Sequence, residues 1–200
     1  MCIHLTFDYQ KATQALVFFA EKAGQRINKM KALKLVYFAD RYHLRKYGCP
    51  ITNDEYFAMR LGPVASGVKD LLEMSDFLGA EEKDYVARFL TPGDRLAIAV
   101  TRPFEPEVLA LTEIEALTFA WETFGGYDEF ALSELTHKYP EWKKHEHRLE
   151  MASRIRMKFE DFLDDPDDPA IEKCYALSLA DKHDTLEELQ ERSRLEALWD

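Results

Sequence analysis

The sequence predicts a mainly α, compact helical domain around a buried central helix, with a small β-hairpin and a C-terminal helix. The first observation is a three-four spacing of Met30, Leu33, Tyr37, Leu44 and Tyr47, with most positions between them also apolar. The second is that apolar residues recur at helical spacing along the chain, whereas residues 85–101 alternate or run apolar on both sides of a turn signal. The third is a length of 200 residues at 46% hydrophobic, which suffices for a full core.

Two helices are predicted in the first fifty residues. Asp8 is a suitable N-cap and Gly24 a suitable stop for a helix with an alanine-rich inner stripe. The central helix is predicted from Met30 to Tyr47. It ends at Gly48, because glycine enters the left-handed C-terminal conformation without strain, and Pro50 follows because proline cannot continue a helix.

A third helix is predicted to begin at Gly62-Pro63-Val64. Glycine lets the backbone turn there, and proline suits the first helical position. The preceding segment, Ile51–Leu61, leaves two structures open. Thr52 with Glu55 fits a capping box of a helix, whereas the aromatic content fits a short extended segment.

The hairpin is predicted from strands Tyr85–Leu90 and Arg95–Thr101, which flank a Thr-Pro-Gly-Asp turn signal. Apolar residues at helical spacing predict three further helices, at Thr112–Phe124, Asp128–Lys138 and Ser153–Leu163. Thr112 with Glu115 forms a capping box for the first of these.

The sequence predicts three parts. Residues 164–169 contain four carboxylates and two prolines, which predicts an acidic linker between a domain over residues 1–163 and a helical extension over residues 170–200. A capping box at Thr185 and Glu188 predicts the last helix. Its leucine stripe, which ends at Trp199, leaves open packing on the domain, an oligomer contact or the grip of a partner.

Composition and charge narrow the function classes. The net charge of -11 does not favour nucleic acid as the main partner, because phosphate binding needs a cationic surface. Residues 1–50 nevertheless contain nine Lys or Arg and three Asp or Glu, whereas the remaining residues contain 17 and 34. A basic face on an acidic body allows an oriented contact with a protein. No membrane segment or targeting segment is evident, and we expect a cytoplasmic protein.

The sequence contains no motif for a cofactor or a metal. Cys2, Cys49 and Cys174 are odd in number and far apart, so we expect free thiols. The spacing of the later histidines, His137, His145 and His147, matches no zinc pattern, and we expect them on a charged surface.

Asp40 and His43 stand one turn apart on the central helix. As an enzyme, the chain would use them as a proton-transfer couple. As a structural protein, it would use Asp40 to accept hydrogen bonds from Arg41, a tyrosine or the loop before Gly62, because a buried carboxylate needs donors. Since no nucleophile or phosphate loop accompanies the pair, the structural interpretation is favoured.

The segment KLVYFADRYHLRKYGCPIT at 34–52, then Tyr56 with Ala58, then Gly62-Pro63-Val64 with apolar residues after it, resembles the Panacea domain of SocA-like antitoxins. A weaker similarity, LSELTHKYPEW at 132–142, resembles a later segment of the family. The resemblance covers roughly residues 8–163.

This resemblance implies an antitoxin, not an enzyme, which binds and neutralises a toxin made from a neighbouring gene. The family pairs one fold with unrelated toxins, so the toxin is not named. We expect the contact near the central helix and the Gly62 turn, with these motif or partner-binding residues: Tyr37, Asp40, Arg41, His43, Arg45, Tyr56, Gly62 and Pro63. The alternatives are an adaptor that delivers the toxin to a protease, and an enzyme of unknown reaction using Asp40 and His43. The oligomeric state stays open.

Overall fold

Helices account for 55% of the structure, which confirms the prediction of a mainly α fold. The computed structural model describes residues 3–198, so Cys2 and Trp199 lie outside the described residues. The helices in this range are α1 (Tyr9–Lys22), α2 (Lys29–Tyr47), α3 (Ser66–Glu73), α4 (Ala80–Phe89), α5 (Leu111–Phe124), α6 (Glu129–Thr136), α7 (Pro140–Lys143) and α8 (Leu179–Glu196). The strands are β1 (Arg26–Asn28), β2 (Tyr56–Met59), β3 (Gly62–Ala65), β4 (Leu90–Asp94), β5 (Ala97–Val100) and β6 (Ile155–Arg156).

Helix α2 lies at the centre of the fold. The Asn28 side chain accepts hydrogen bonds from the N–H groups of Met30 and Lys31 and so caps its start, while Gly48 closes its end with φ of 80°. Helices α1, α5 and α6 and strand β3 pack around it. Most of its residues from Ala32 onward are buried, so even its charged side chains must find partners inside the protein.

The strands form two antiparallel three-stranded sheets, in the orders β1-β5-β4 and β3-β2-β6. The predicted hairpin is present between β4 and β5, but its first strand begins at Leu90 and not at Tyr85. Val86 and Phe89 are three residues apart and both buried, which fits one face of helix α4. Glu82 accepts a hydrogen bond from the N–H of Gly79 and favours this helical start.

The prediction that a helix starts at Gly62-Pro63-Val64 is wrong. These residues form edge strand β3, which pairs with β2, and α3 begins only at Ser66. The N-terminus of α3 is instead capped from a distance, because the Asp54 carboxylate accepts hydrogen bonds from the N–H groups of Gly67 and Val68. The segment Ile51–Leu61, for which the sequence left two structures open, contains the extended strand β2 at Tyr56–Met59.

Three boundaries in the second half also differ from the predictions. Helix α5 is capped by Glu113, which accepts from the N–H of Ala110, and not by Thr112 and Glu115. Residues 153–163 contain β6 and a 3-10 turn, where a helix was predicted. Helix α8 begins at Leu179, capped by Ser178. Within residues 3–198, the helices are all too short or too polar to cross a bilayer.

Candidate functional site

Asp40, on helix α2, anchors the loop that follows the helix. Its Oδ1 accepts hydrogen bonds from the N–H groups of Ile51, at 2.8 Å, and Thr52, at 3.1 Å. Its Oδ2 accepts from the hydroxyls of Thr52 and Tyr56. Burial raises the pKa of the Asp40 carboxyl, although the four donors act in the opposite direction. With these donors satisfied, Asp40 fixes the position of β2 relative to α2.

His43 forms hydrogen bonds with residues other than those that bind Asp40. Its Nδ1 lies 2.6 Å from the carbonyl oxygen of Cys49 and must donate to it, since a carbonyl only accepts. Its Nε2 lies 3.1 Å from the Thr112 hydroxyl. Within the described residues no hydrogen bond joins Asp40 to His43. The proton-transfer couple considered from the sequence is therefore not assembled in this structure.

Arg41 is fully buried and forms an ion network with two carboxylates. Its Nε donates to Oε1 of Glu141 at 2.8 Å, and its Nη1 donates to Oε2 of Glu172 at 2.7 Å. The Tyr37 hydroxyl donates to the same Glu141 oxygen at 2.6 Å. The guanidinium also lies 4.6 Å from the ring centre of Tyr139. This network ties α2 to α7 and to the segment before α8.

Arg45, one turn later, binds backbone as well as side chains. It donates to the carbonyl oxygens of Phe162, Asp164 and Tyr175 and forms an ion pair with Asp165. Only 1% of Arg45 is exposed. The acidic segment that the sequence identifies as a linker therefore contacts the central helix along its buried side.

Lys34 supports the turn between β2 and β3. Its Nζ donates to the carbonyl oxygen of Pro63 at 2.8 Å, and burial lowers its pKa to about 7. Gly62 has φ of 97°, and a Cβ at this position would overlap the side chains of Thr136 and Lys34. Glycine is thus required both for the backbone conformation and for the close approach of α6.

The structure buries all eight residues that the sequence identifies as motif or partner-binding positions. They lie on one interior framework, in which Asp40 and Tyr56 are joined directly and Tyr37 and Arg41 meet at Glu141. The side chains therefore hold the scaffold together in this conformation. Their role as partner-binding residues stays a prediction.

The neighbouring surface carries a groove of about 740 Å³. Its apolar lining comes from the start of α2, the β2-β3 turn, the β4-β5 turn, the start of α6 and the loop before β6. Four large apolar side chains on it are strongly exposed: Leu61 at 56%, Leu96 at 67%, Phe130 at 63% and Met151 at 96%. Contiguous exposed apolar surface is typical of protein-binding sites. Phe130 thus belongs to this exposed surface and not to the core.

A family model described as "Antitoxin SocA-like, Panacea domain" matches residues 33–143. The chain belongs to this family. No curated protein and no solved structure matches the chain. The matched range of the Panacea domain includes most of α2, both strands of the Gly62 turn and the Glu141 carboxylate that binds Arg41.

Residues beyond the matched range complete the interior of this Panacea domain. Glu172 and Asp165 bind its two buried arginines, and Cys174 is fully buried against α2. Burial raises the pKa of the Cys174 thiol to about 12. Leu189 of α8 is also buried, so the middle of the last helix packs on the domain.

The histidines and cysteines of the described range form no metal site. No group of three or more His, Cys, Asp or Glu side chains in residues 3–198 is placed to hold an ion. His137 stacks on the Trp142 ring with centres 3.8 Å apart, and His145 is buried. All three histidines were expected on the surface: His145 contradicts this prediction, His137 is partly buried, and His147 is exposed.

Proposed function

We propose that this chain is an antitoxin that neutralises a cognate toxin by direct binding at the groove beside the Gly62 turn. Membership of the SocA-like Panacea family supports the antitoxin role. The observation that carries the binding site is the exposed apolar groove, because a folded protein rarely leaves four large apolar side chains together in water. The expected compartment is the cytoplasm.

The geometry supports inhibition by occlusion. Asp40, Lys34 and Arg41 fix the loops and strands around α2, so the groove is presented by a preformed framework. A preformed surface binds without the entropic cost of ordering its own loops. Burial of the apolar side chains in the complex would supply the affinity, and the bulk of the bound domain would block the toxin's working surface.

Co-expression with the neighbouring gene tests this proposal. Wild-type chain should restore growth to cells that express the toxin and should co-purify with it. Leu61→Asp combined with Phe130→Asp should abolish both effects, because it places two charges on the groove. The matched control is Phe77→Asp with Leu111→Asp, which changes two exposed apolar residues outside the groove. Growth inhibition that the wild-type chain leaves unchanged would refute the antitoxin role.

Both alternatives from the sequence can be separated from occlusion. Delivery to a protease predicts a shorter lifetime of the toxin in cells that contain the antitoxin, whereas occlusion predicts an unchanged lifetime. Enzymatic action through Asp40 predicts that Asp40→Asn abolishes neutralisation even when the variant remains folded. Occlusion predicts that a folded Asp40→Asn variant neutralises normally.

A further inference from the structure

The groove differs in charge from the rest of the protein. Lys29, Arg60 and Arg95 line it, and within residues 3–198 none of these three forms an ion pair. The protein as a whole carries a net charge of -11, whereas the lining of the groove contains five Lys or Arg and three Glu. A cationic rim on an apolar groove is complementary to an apolar segment with carboxylates.

The carboxylates that line the groove are fewer than its cations, and one of them is neutralised within the chain. Glu73 pairs with Lys69 at 2.6 Å, and Glu129 accepts a hydrogen bond from Asn28 at 3.0 Å. Glu150 lies 3.7 Å from His147. Glu129 and Glu150 keep their charge, because Asn28 is neutral and His147 is charged only when protonated, but the cations of the groove remain in excess and are available to a partner.

The free edge of β3 and the turn before it are partly engaged within the chain, which disfavours an added strand. Two carbonyl oxygens along this turn and edge, those of Leu61 and Pro63, accept hydrogen bonds from Ser133 and Lys34 at 2.8 Å each. A partner strand would need these acceptors to continue the sheet. These bonds favour a partner that binds through side chains, as an amphipathic helix does when it lies in a groove.

The apolar lining fits this kind of partner. Met30, Met59 and Met151 contribute flexible, polarisable side chains that adapt to the shape of a helix surface. Phe130 and Leu61 add exposed apolar area for the i, i+3 and i+4 positions of such a helix.

We propose that the groove binds an acidic amphipathic helix, whose apolar stripe packs on Leu61 and Phe130 and whose carboxylates pair with Lys29, Arg60 and Arg95. This inference rests on the proposed function in that the helix belongs to the toxin. It specifies the chemistry of the recognised segment, which the family assignment does not.

Two synthetic helical peptides test the chemistry. Both carry the same leucine stripe, and the polar face is glutamate in one and lysine in the other. Fluorescence anisotropy with the full chain should show at least tenfold tighter binding of the glutamate peptide, with affinity falling as salt rises. The comparison is stringent, because the net charge of -11 attracts the lysine peptide non-specifically. Equal binding of the two peptides, or binding of neither, would overturn the inference.

Charge reversal locates the contact. Arg60→Glu with Arg95→Glu should weaken binding of the glutamate peptide at least tenfold. Arg102→Glu with Arg194→Glu removes the same charge from exposed positions outside the groove and should leave binding within twofold. An unchanged affinity in the first variant contradicts the inference.

The outcomes for the toxin separate the two proposals. If the wild-type chain neutralises the toxin and Arg60→Glu with Arg95→Glu does so equally well, the antitoxin role stands and the acidic-helix inference fails. If the glutamate peptide binds as expected and the toxin is not neutralised, the groove chemistry stands and the antitoxin role fails.

Discussion

Lys34→Met tests whether a buried amine that is neutral above about pH 7 stabilises the Gly62 turn. Lys34 is 1% exposed, and burial lowers its pKa from 10.5 to about 7. Below about pH 7 the side chain is protonated in both the folded and the unfolded chain, and the penalty for burying the charge is present in full. Between about pH 7 and 10.5 the unfolded chain binds the proton and the folded chain does not.

The sign of the effect follows from proton binding. Because the unfolded state binds more protons in this window, the free energy of unfolding of the wild type rises with pH relative to Lys34→Met. The slope is about 1.4 kcal/mol per pH unit. A pKa change of about 3.5 units would give a total on the order of 5 kcal/mol. Where the amine is neutral, loss of its hydrogen bond to Pro63 adds about 1 kcal/mol to the difference between the two proteins.

Urea denaturation of both proteins at several pH values between about 6 and 9 measures this difference. From about pH 7 to about pH 9 the wild type should gain about 2 kcal/mol relative to Lys34→Met. Asp54, whose pKa is raised to about 7 by burial, titrates in both proteins and cancels from the comparison. Lys158→Met, which removes an exposed lysine, is the control for loss of one charge. A difference that stays flat or falls with pH would refute the reasoning.

Three further predictions concern the scaffold. Arg41→Met leaves the Glu141 carboxylate buried without its counter-ion and should lower the free energy of unfolding by about 3–5 kcal/mol in urea denaturation; a loss under about 1 kcal/mol would contradict a buried network. Gly62→Ala combines a left-handed backbone with steric overlap and should lower stability by about 2–5 kcal/mol, whereas Gly126→Ala, where a Cβ meets no atom within 4 Å, should change it little. Deletion of residues 164–200 uncovers two buried arginines and should lower the melting temperature sharply; an unchanged value would show that the deleted segment does not support the domain.

Sequence patterns predicted an element correctly where residues next to its ends fix those ends. The three-four spacing and the cap residues predicted α2 to within one residue, because Asn28 and Gly48 act on adjacent backbone groups. The sequence did not distinguish the strand Gly62–Ala65 from a helix start. The true start of α3 is marked by its cap residue Asp54, which lies 13 residues before Gly67 and so forms no local capping pattern. Likewise, α4 was misassigned since a short apolar run fits both periods.

The site was predictable only in part. The structure buries the motif residues together, and this burial was not expected for Arg41 and Arg45, so their role in binding a partner stays a prediction. Their partners Glu141, Glu172 and Asp165 lie 100, 131 and 120 residues away along the chain. The groove is likewise assembled from six separate segments, so no local pattern marks it.

Hydrogen–deuterium exchange of the antitoxin–toxin complex tests the central claim most directly. Toxin binding should slow exchange at residues 59–64, at the start of α6 and at residues 150–153, which line the groove. Exchange in α8 should stay unchanged. Protection confined to α8, with exchange at the groove segments equal in the free and bound protein, would contradict it.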